Sequence, residues 1–384
     1  MTVDATAAVW AASYLIGLNQ LISNVQPLIL GALADGYGLS DRQLGHVSSA
    51  FVAATTVAVL SAPWWVRRVD WRAFSFGAVV LASLALAGGA RASSYAGVLA
   101  LFVVVGFLKG FVGAPSFASL GDSRNPDRAY GVSLVAQMVV SGSAAYPIAS
   151  YVLPNFGVPG LMITLAAIIG TGLLACLWLP VRGREREQAD AAALAAPIVS
   201  RANVPAFVAL LALALFIGGI LLFWYFCERI GVVRGVSKAL IGIAVSGCSI
   251  ATIATAAVVA WLGGRVRSAA FIWSGTAMAV AALLLLRLPG DLAYVFSVIV
   301  FAMAWGLAQP GYWTILRNLD VSDRLFVIAP AASGAGGVAV GLIAGPLIES
   351  GGYGLLVAVS GGLLVLGLVT SALAERFGRA NRAV

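Results

Sequence analysis

The stretch VVVGFLKGFVGAP, Val103 to Pro115, is apolar except for a single charge, Lys109. The chain holds 23 Lys and Arg together, of which only Lys109 and Lys238 are lysines. A primary ammonium inside an apolar helix has three uses: it binds an anion, it hydrogen-bonds acceptors across a helix interface, or it faces a water-filled cavity. An internal ion pair is not evident, because all 15 Asp and Glu fall in loops, tails or the ends of apolar runs. Lys109 lies 14 residues from the start of its run at Tyr95 and 11 from its end at Leu120, too deep to snorkel fully to either surface.

Three further polar sets recur at helical spacing. Asn19, Ser23 and Gln26 stand at i, i+4 and i+7, and so share a face; Ser133, Gln137 and Ser141 do the same, as do Trp305, Gln309 and Trp313. An amide in lipid must find partners, so these groups either bond neighbouring helices or meet a solute. Gln309 follows Lys109 by 200 residues, and Trp305, near the middle of its run, offers an indole face for stacking. The cluster FWYFCER, Phe223 to Arg229, reads instead as an interfacial aromatic belt. The candidates for carrying a proton are Glu228 and the lone histidine, His46, both near run ends. Pairing of Glu228 with Arg229 or Arg234, and an interfacial place for His46, are the alternatives. Cys176, Cys227 and Cys248 all lie in apolar runs with no metal-ligand spacing, so no metal and no cofactor are expected.

The elements that must position these residues are set by composition. Of 384 residues 61% are hydrophobic and 10% charged, with a mean hydropathy of +0.99. Soluble domains carry about 25% charge, so the chain is read as an integral membrane protein, all α-helical. Twelve apolar runs are long enough to span: 8–34, 43–65, 73–90, 95–120, 129–153, 160–179, 204–227, 238–262, 268–288, 291–316, 324–348 and 353–374. The first is expected to act as its own insertion signal. With the N-terminus inside, cytoplasmic segments hold 16 of the 23 basic residues and outer segments 6, with Lys109 completing the count. That bias places both termini in the cytoplasm. It also explains the net charge of +8 through topology rather than nucleic acid. The longest polar connection, residues 181–203, divides the chain into an N-terminal bundle, 1–180, and a C-terminal bundle, 204–384.

The two halves echo each other. GLSDRQLGHV after the first run is matched by RGVSKALIGI after the seventh, with Ser40 and Ser237 at a spacing of 197. Asp127-Arg128 recurs as Asp323-Arg324 at 196, and Gly106 as Gly306 at 200. Three matches in order at nearly one spacing indicate a duplicated six-helix unit, an architecture of secondary transporters.

On these features the chain resembles the major facilitator superfamily along essentially its whole length. That family's loop between helices 2 and 3 reads G-x-L-x-D-R-x-G-R-R. The corresponding segment, APWWVRRVDWR, has Ala62 for the Gly and Val66 for the Asp and keeps Arg67. The second-half copy, AWLGGRVRS, keeps Arg265 with Gly264 at the acidic position. The helix 4 pattern R-x-x-Q-G is replaced by GFLKG, so Lys109 takes the place of the Gln. The helix 5 Gly-Pro pattern has Tyr146 before Pro147, and GLIAGP at 341–346 supplies a cleaner copy in helix 11.

The resemblance implies a central cavity lined by helices 1, 4, 7 and 10, reached by alternating access. It implies gating at the inner loops, for which Arg67, Arg68, Arg128, Arg265 and Arg324 are the candidates. The solute-binding set expected is Lys109, Gln309, Trp305, Asn19, Ser23, Gln26, Gln137 and Trp313. The expected function is secondary active or facilitative transport of a small organic anion, such as an aromatic carboxylate, by a monomer in an inner membrane. The alternative is proton-coupled efflux of drugs or metabolites. An enzyme is not expected: one His and no H-E-x-x-H leave no metal or acid–base cluster, and no Walker phosphate loop is present. A transport-dead sensor is disfavoured by tails too short for a signalling domain.

Overall fold

A computed structural model describes residues 3, 5–92, 94–124, 126–182, 203–262, 265–320, 325 and 329–382. The helices are α1 (Thr6–Asn24), α2 (Gln26–Tyr37), α3 (Asp41–Trp65), α4 (Trp71–Gly89), α5 (Tyr95–Gly121) and α6 (Pro126–Pro147). A π-helical turn (Ile148–Val152) follows, then α7 (Leu153–Gly170), α8 (Gly172–Cys176), α9 (Val204–Val233), α10 (Lys238–Leu262), α11 (Ser268–Leu285), α12 (Asp291–Leu319) and α13 (Ala329–Arg382). No strand occurs among the described residues.

Nine described helical segments are long and apolar enough to cross a membrane. Two of them are interrupted by glycine. Gly157 in α7 has φ +56° and Gly352 in α13 has φ +65°, values that turn the chain between two passes. The first run, by contrast, is not one helix. It breaks at Val25 (φ −101°, ψ 11°) between α1 and α2. Pro27 is the physical cause, since it has no N–H to give to the carbonyl of Ser23 four residues earlier. With the two glycine breaks and the divided first run, the helices fit twelve passages.

The duplication read in the sequence has structural counterparts. Ser40 caps α3 through Gln43 N–H (3.3 Å), and the Gln43 side chain returns a bond to the Ser40 N–H (3.0 Å). Ser237, 197 residues later, accepts from the Leu240 N–H (3.3 Å) at the start of α10. The left-handed glycines pair in the same way: Gly38 with Gly235, and Gly157 with Gly352.

The chain divides into two compact units, residues 1–185 with 225–250 and residues 186–224 with 251–384. In the first, α5 lies directly on α3. A Cβ at Gly106 would meet the Phe51 carbonyl oxygen at 2.5 Å, and one at Gly110 would meet the Thr55 carbonyl at 3.1 Å. Gly17 brings α1 equally close to α6 at Ala136. In the second unit Gly306 packs α12 on Thr255 of α10, and Gly275 packs α11 on Ala304 and Ala308 of α12. Small residues at such seams let backbones approach and gain the dispersion contacts that hold helices together where water supplies no driving force. Of the expected linker, residues 183–202 lie outside the described residues.

Candidate functional site

Helix α5 starts cleanly because the Ser94 hydroxyl caps the Gly97 N–H (3.2 Å). Counting from Tyr95, Lys109 is about 21 Å along a helix that rises 1.5 Å per residue. The bare faces of Gly106 and Gly110 seat α5 on α3, which fixes the side on which Lys109 projects. There the Lys109 Nζ donates to Ser23 Oγ at 2.6 Å and lies over the Phe51 ring, 5.3 Å from its centroid. The residue is half-buried, and among the described residues no carboxylate pairs with it.

The partner is placed by the break in the first run. Ser23 is the residue whose carbonyl Pro27 cannot serve, one residue before α1 ends at Asn24. One turn earlier Asn19 packs on Gly113, and its Oδ1 is buried without a hydrogen-bond partner. One residue later Asn24 donates to Ser141 Oγ of α6 at 2.9 Å. The first unit thus gathers Asn19, Ser23 and Lys109 around one spot, with Asn24 and Ser141 alongside. Gln26 is buried just past the break, and Gln137 is half-buried at the α1–α6 seam, where Gly17 approaches its backbone. Asn24 was not singled out in the sequence, although its place between Ser23 and the break is a readable signal.

Trp305, Gln309 and Trp313 are on α12, in the second unit, and all three are half-buried. The Trp305 Nε1 is buried without a hydrogen-bond acceptor.

The basic loop residues take separate roles. Arg67 pairs with Asp122, the residue that follows α5, through both Nη atoms, Nη2 at 2.9 Å from Oδ1, and stands over the Trp71 ring. The Asp122 side chain is 1% exposed, so the Arg67 guanidinium meets a largely shielded acid. Arg68 and Arg128 are exposed, and Arg265 stacks over Trp261 at 5.3 Å. Arg324 lies outside the described residues.

At the opposite end of the helices, Asp35 of α2 accepts from Arg229 Nη1 of α9 (2.8 Å) and Lys238 Nζ of α10 (2.6 Å). Partial burial pushes the Asp35 carboxyl up, but the bonds and charges of Lys238 and Arg229 outweigh it and hold it below its ordinary value of 3.8. Glu228 is different. It is 4% exposed, its carboxylate lies against Gly31 of α2, and its Oε2 has no hydrogen-bond partner. His46 Nδ1 meets the Tyr95 hydroxyl at 3.0 Å, which ties α3 to the start of α5. Sequence reasoning missed the Arg67–Asp122 pair and the Asp35 bridge, since nothing in the spacing joins residues so far apart in the chain.

A search of the curated proteins finds no sequence relative. The fold is similar to several solved structures. One is a D-xylose–proton symporter, at 13% identity and TM-score 0.78, covering 95% of this chain and 96% of that one. The nucleoside transporter NupG aligns at 13% identity and TM-score 0.74, over 96% and 98%. A bacterial homologue of the human lysosomal transporter Spinster, in an inward-facing, unoccupied conformation, aligns at 16% and 0.68, over 97% and 95%. At such identities the likeness shows the fold. The sequence itself matches the Major Facilitator Superfamily over residues 12–320, most of its length, and with the helical architecture above this establishes that the chain belongs to that superfamily, whose members are multi-pass membrane transporters and not enzymes.

Proposed function

We propose that this solute transporter carries a small organic anion, a carboxylate with an apolar or aromatic body, and that Lys109 is the group that binds the charge. The observation that carries this reading is the setting of Lys109: a cation at mid-depth whose contacts are a neutral hydroxyl and a ring face. A lysine in that position costs at least about 2.5–3.5 kcal/mol on insertion scales, and an anionic ligand recovers it. Asn19, Ser23, Gln26 and Gln137 from the first half, and Trp305, Gln309 and Trp313 from the second, complete the proposed site. In this reading two six-helix bundles, 1–180 and 204–384, joined by a cytoplasmic linker, work by alternating access as a monomer in an inner membrane with both termini inside.

Counterflow in proteoliposomes with a panel of carboxylates tests it. Lys109→Met should insert and fold yet lose counterflow. Lys109→Arg should keep part of it, and Gln309→Ala should have a smaller effect of the same sign. Unchanged affinity in Lys109→Met for any transported solute would make Lys109 a structural residue. Impermeant thiol labelling of single cysteines at Arg42 and Arg182 checks the sidedness, with Arg42 reached from outside and Arg182 from inside.

A second reading, proton-coupled exchange or efflux, is favoured by one observation, the unpartnered Oε2 of Glu228. His46, bonded to Tyr95, is the weaker proton carrier of the two.

A further inference from the structure

The second unit carries a basic cavity that the solute site does not use. It lies where the start of α11 meets the last turns of α13, has a volume of about 410 Å³, and is lined by Arg267, Arg376, Arg379 and Glu375. Arg379 donates to Glu375 at 3.1 Å, so the one acid is taken. Arg267 and Arg376 are exposed, and among the described residues no acid pairs with either. Two guanidinium charges are therefore left uncompensated around one space. Arg267 is also the N-cap of α11 and makes no side-chain cap bond, while Ala269 and Ala270 of the first turn line the same cavity. The partial positive charge of a helix start adds to that of the guanidiniums. Together with Ala372, these alanines are what leaves the cavity open between the arginines.

The basic end runs on into an apolar track. On α13, Val365, Val369, Ala372, Arg376 and Arg379 stand at i, i+4, i+7, i+11 and i+14, on one face. Val365 and Val369 are exposed. On α11 the exposed face runs from Arg267 through Ala270, Trp273 and Ala277 to Ala281 and Leu284. The two helices run antiparallel and touch again further along, where a Cβ at Gly361 would meet Leu283 Cδ1 at 3.5 Å. Trp273, 57% exposed, stands where the basic part gives way to the apolar part. Tryptophan favours that position at the interface of a membrane.

A small free anion matches the arginines alone, and an apolar partner matches the track alone. A molecule with a phosphodiester and an acyl chain matches both. We infer that the α11–α13 seam is a binding site for one anionic phospholipid. Its phosphate lies between Arg267 and Arg376, whose planar forks suit phosphate oxygens, and one chain lies along the track past Trp273. The phosphate chemistry is shared with inorganic phosphate; the apolar track commits the site to the lipid. The inference is independent of the solute and of Lys109.

Native mass spectrometry of the full chain in detergent tests it, with phosphatidylglycerol and phosphatidylcholine of the same acyl chains as probes. The first phosphatidylglycerol should bind about tenfold or more tightly than phosphatidylcholine. Arg267→Gln with Arg376→Gln should weaken it by about thirtyfold and leave phosphatidylcholine unaffected. The matched control, Arg68→Gln with Arg182→Gln, removes two exposed arginines of the first unit and should bind phosphatidylglycerol as the wild type does. Ala372→Phe fills the cavity without changing charge and should lose the lipid too, with an unfolding curve to show that it folds. Equal affinity for the two lipids, or wild-type affinity in the Arg267 and Arg376 double variant, overturns the proposal. An equal loss in the matched control overturns it in favour of diffuse surface charge. Inorganic phosphate that binds as tightly as phosphatidylglycerol overturns it in favour of a free anion. Should Ala372→Phe fail to fold, the arginine variants decide alone.

Discussion

Lys109 of α5 donates to Ser23 of α1 at 2.6 Å, at the residue whose backbone carbonyl loses its helical donor to Pro27. Two departures from an ordinary apolar helix, a lysine and a proline, therefore meet at one point. The hydroxyl holds the ammonium toward α1, and Phe51 covers it on the α3 side.

If Ser23 orients that ammonium, Ser23→Ala should weaken solute binding without abolishing it. A hydrogen bond to a charged group contributes about 1.5–3 kcal/mol, which corresponds to roughly a tenfold to hundredfold rise in Kd. Thermal stability should fall little, because the lysine can turn to water or to solute. Isothermal titration against an identified solute reads the effect. A Kd equal to wild type would show that Ser23 does not orient Lys109.

The Arg67–Asp122 pair predicts a coupled pair of variants. Arg67→Ala leaves the Asp122 carboxylate, 1% exposed, without its guanidinium, and should cost about 1–3 kcal/mol. Asp122→Asn should cost less, since Arg67 is 42% exposed and can be hydrated. The double variant should be no less stable than Arg67→Ala alone. Strictly additive losses in thermal unfolding would show that the two residues do not act as a unit.

The place of Lys109 midway along its helix was legible in the sequence, because the apolar run extends to either side of it. The lengths of the apolar runs and the family loops were legible too, whereas Ser40 and Ser237 were read only as a match between the two halves and not as caps. The division of the first run was not read, although Pro27 announces it: hydropathy averages over a break that a missing N–H creates. The seat of Glu228 on Gly31 and the bridge from Asp35 to Lys238 join residues about 200 apart, and only the packing of α2 on α9 and α10 reveals them. The role of a glycine as the absence of a side chain opposite another group has no signature in a single chain. The same holds for Asp122, one of several acids near a helix end until Arg67 is seen on it.

Asp35 yields a prediction about pH. Its carboxyl is held below 3.8 in this arrangement, where Lys238 and Arg229 bind it, and returns toward its ordinary value where they do not. A depressed value means that the stabilisation is complete above 3.8 and is lost as pH falls through the lowered value. The bridge therefore contributes equally across neutral pH and fails only in strong acid. The loss of thermal stability caused by Asp35→Asn, measured in a Glu228→Gln background that keeps the neighbouring side chain neutral, should be the same at about pH 5.5 and about pH 8.5. A loss that varies over that window in this background would mean that Asp35 itself titrates there.

The seams predict which glycines matter. Thr55 donates to the Gly106 carbonyl at 3.1 Å, and 200 residues on Thr255 packs against Gly306, so the α3–α5 seam is repeated between α10 and α12. A Cβ at Gly106 would stand 2.5 Å from the Phe51 carbonyl and 3.0 Å from the Ala54 Cβ, both rigid parts of α3. Gly106→Ala should therefore force the helices apart and cost about 1–3 kcal/mol, as overpacking does. It should also weaken solute binding, because the same seam aims Lys109. At Gly306 the new methyl would meet the Thr255 side chain, Oγ1 first, so Gly306→Ala should cost less, and Gly306→Ala with Thr255→Ala, which removes that oxygen, should recover part of it. Gly38→Ala is the control: it has φ +65° with nothing within 4 Å, so only backbone strain of about 1 kcal/mol is expected, with no effect on binding. Unfolding curves of the three single variants, ranked Gly106, then Gly306, then Gly38, check the prediction. A Gly106→Ala protein as stable as Gly38→Ala would show that α5 does not lie on α3 at this distance.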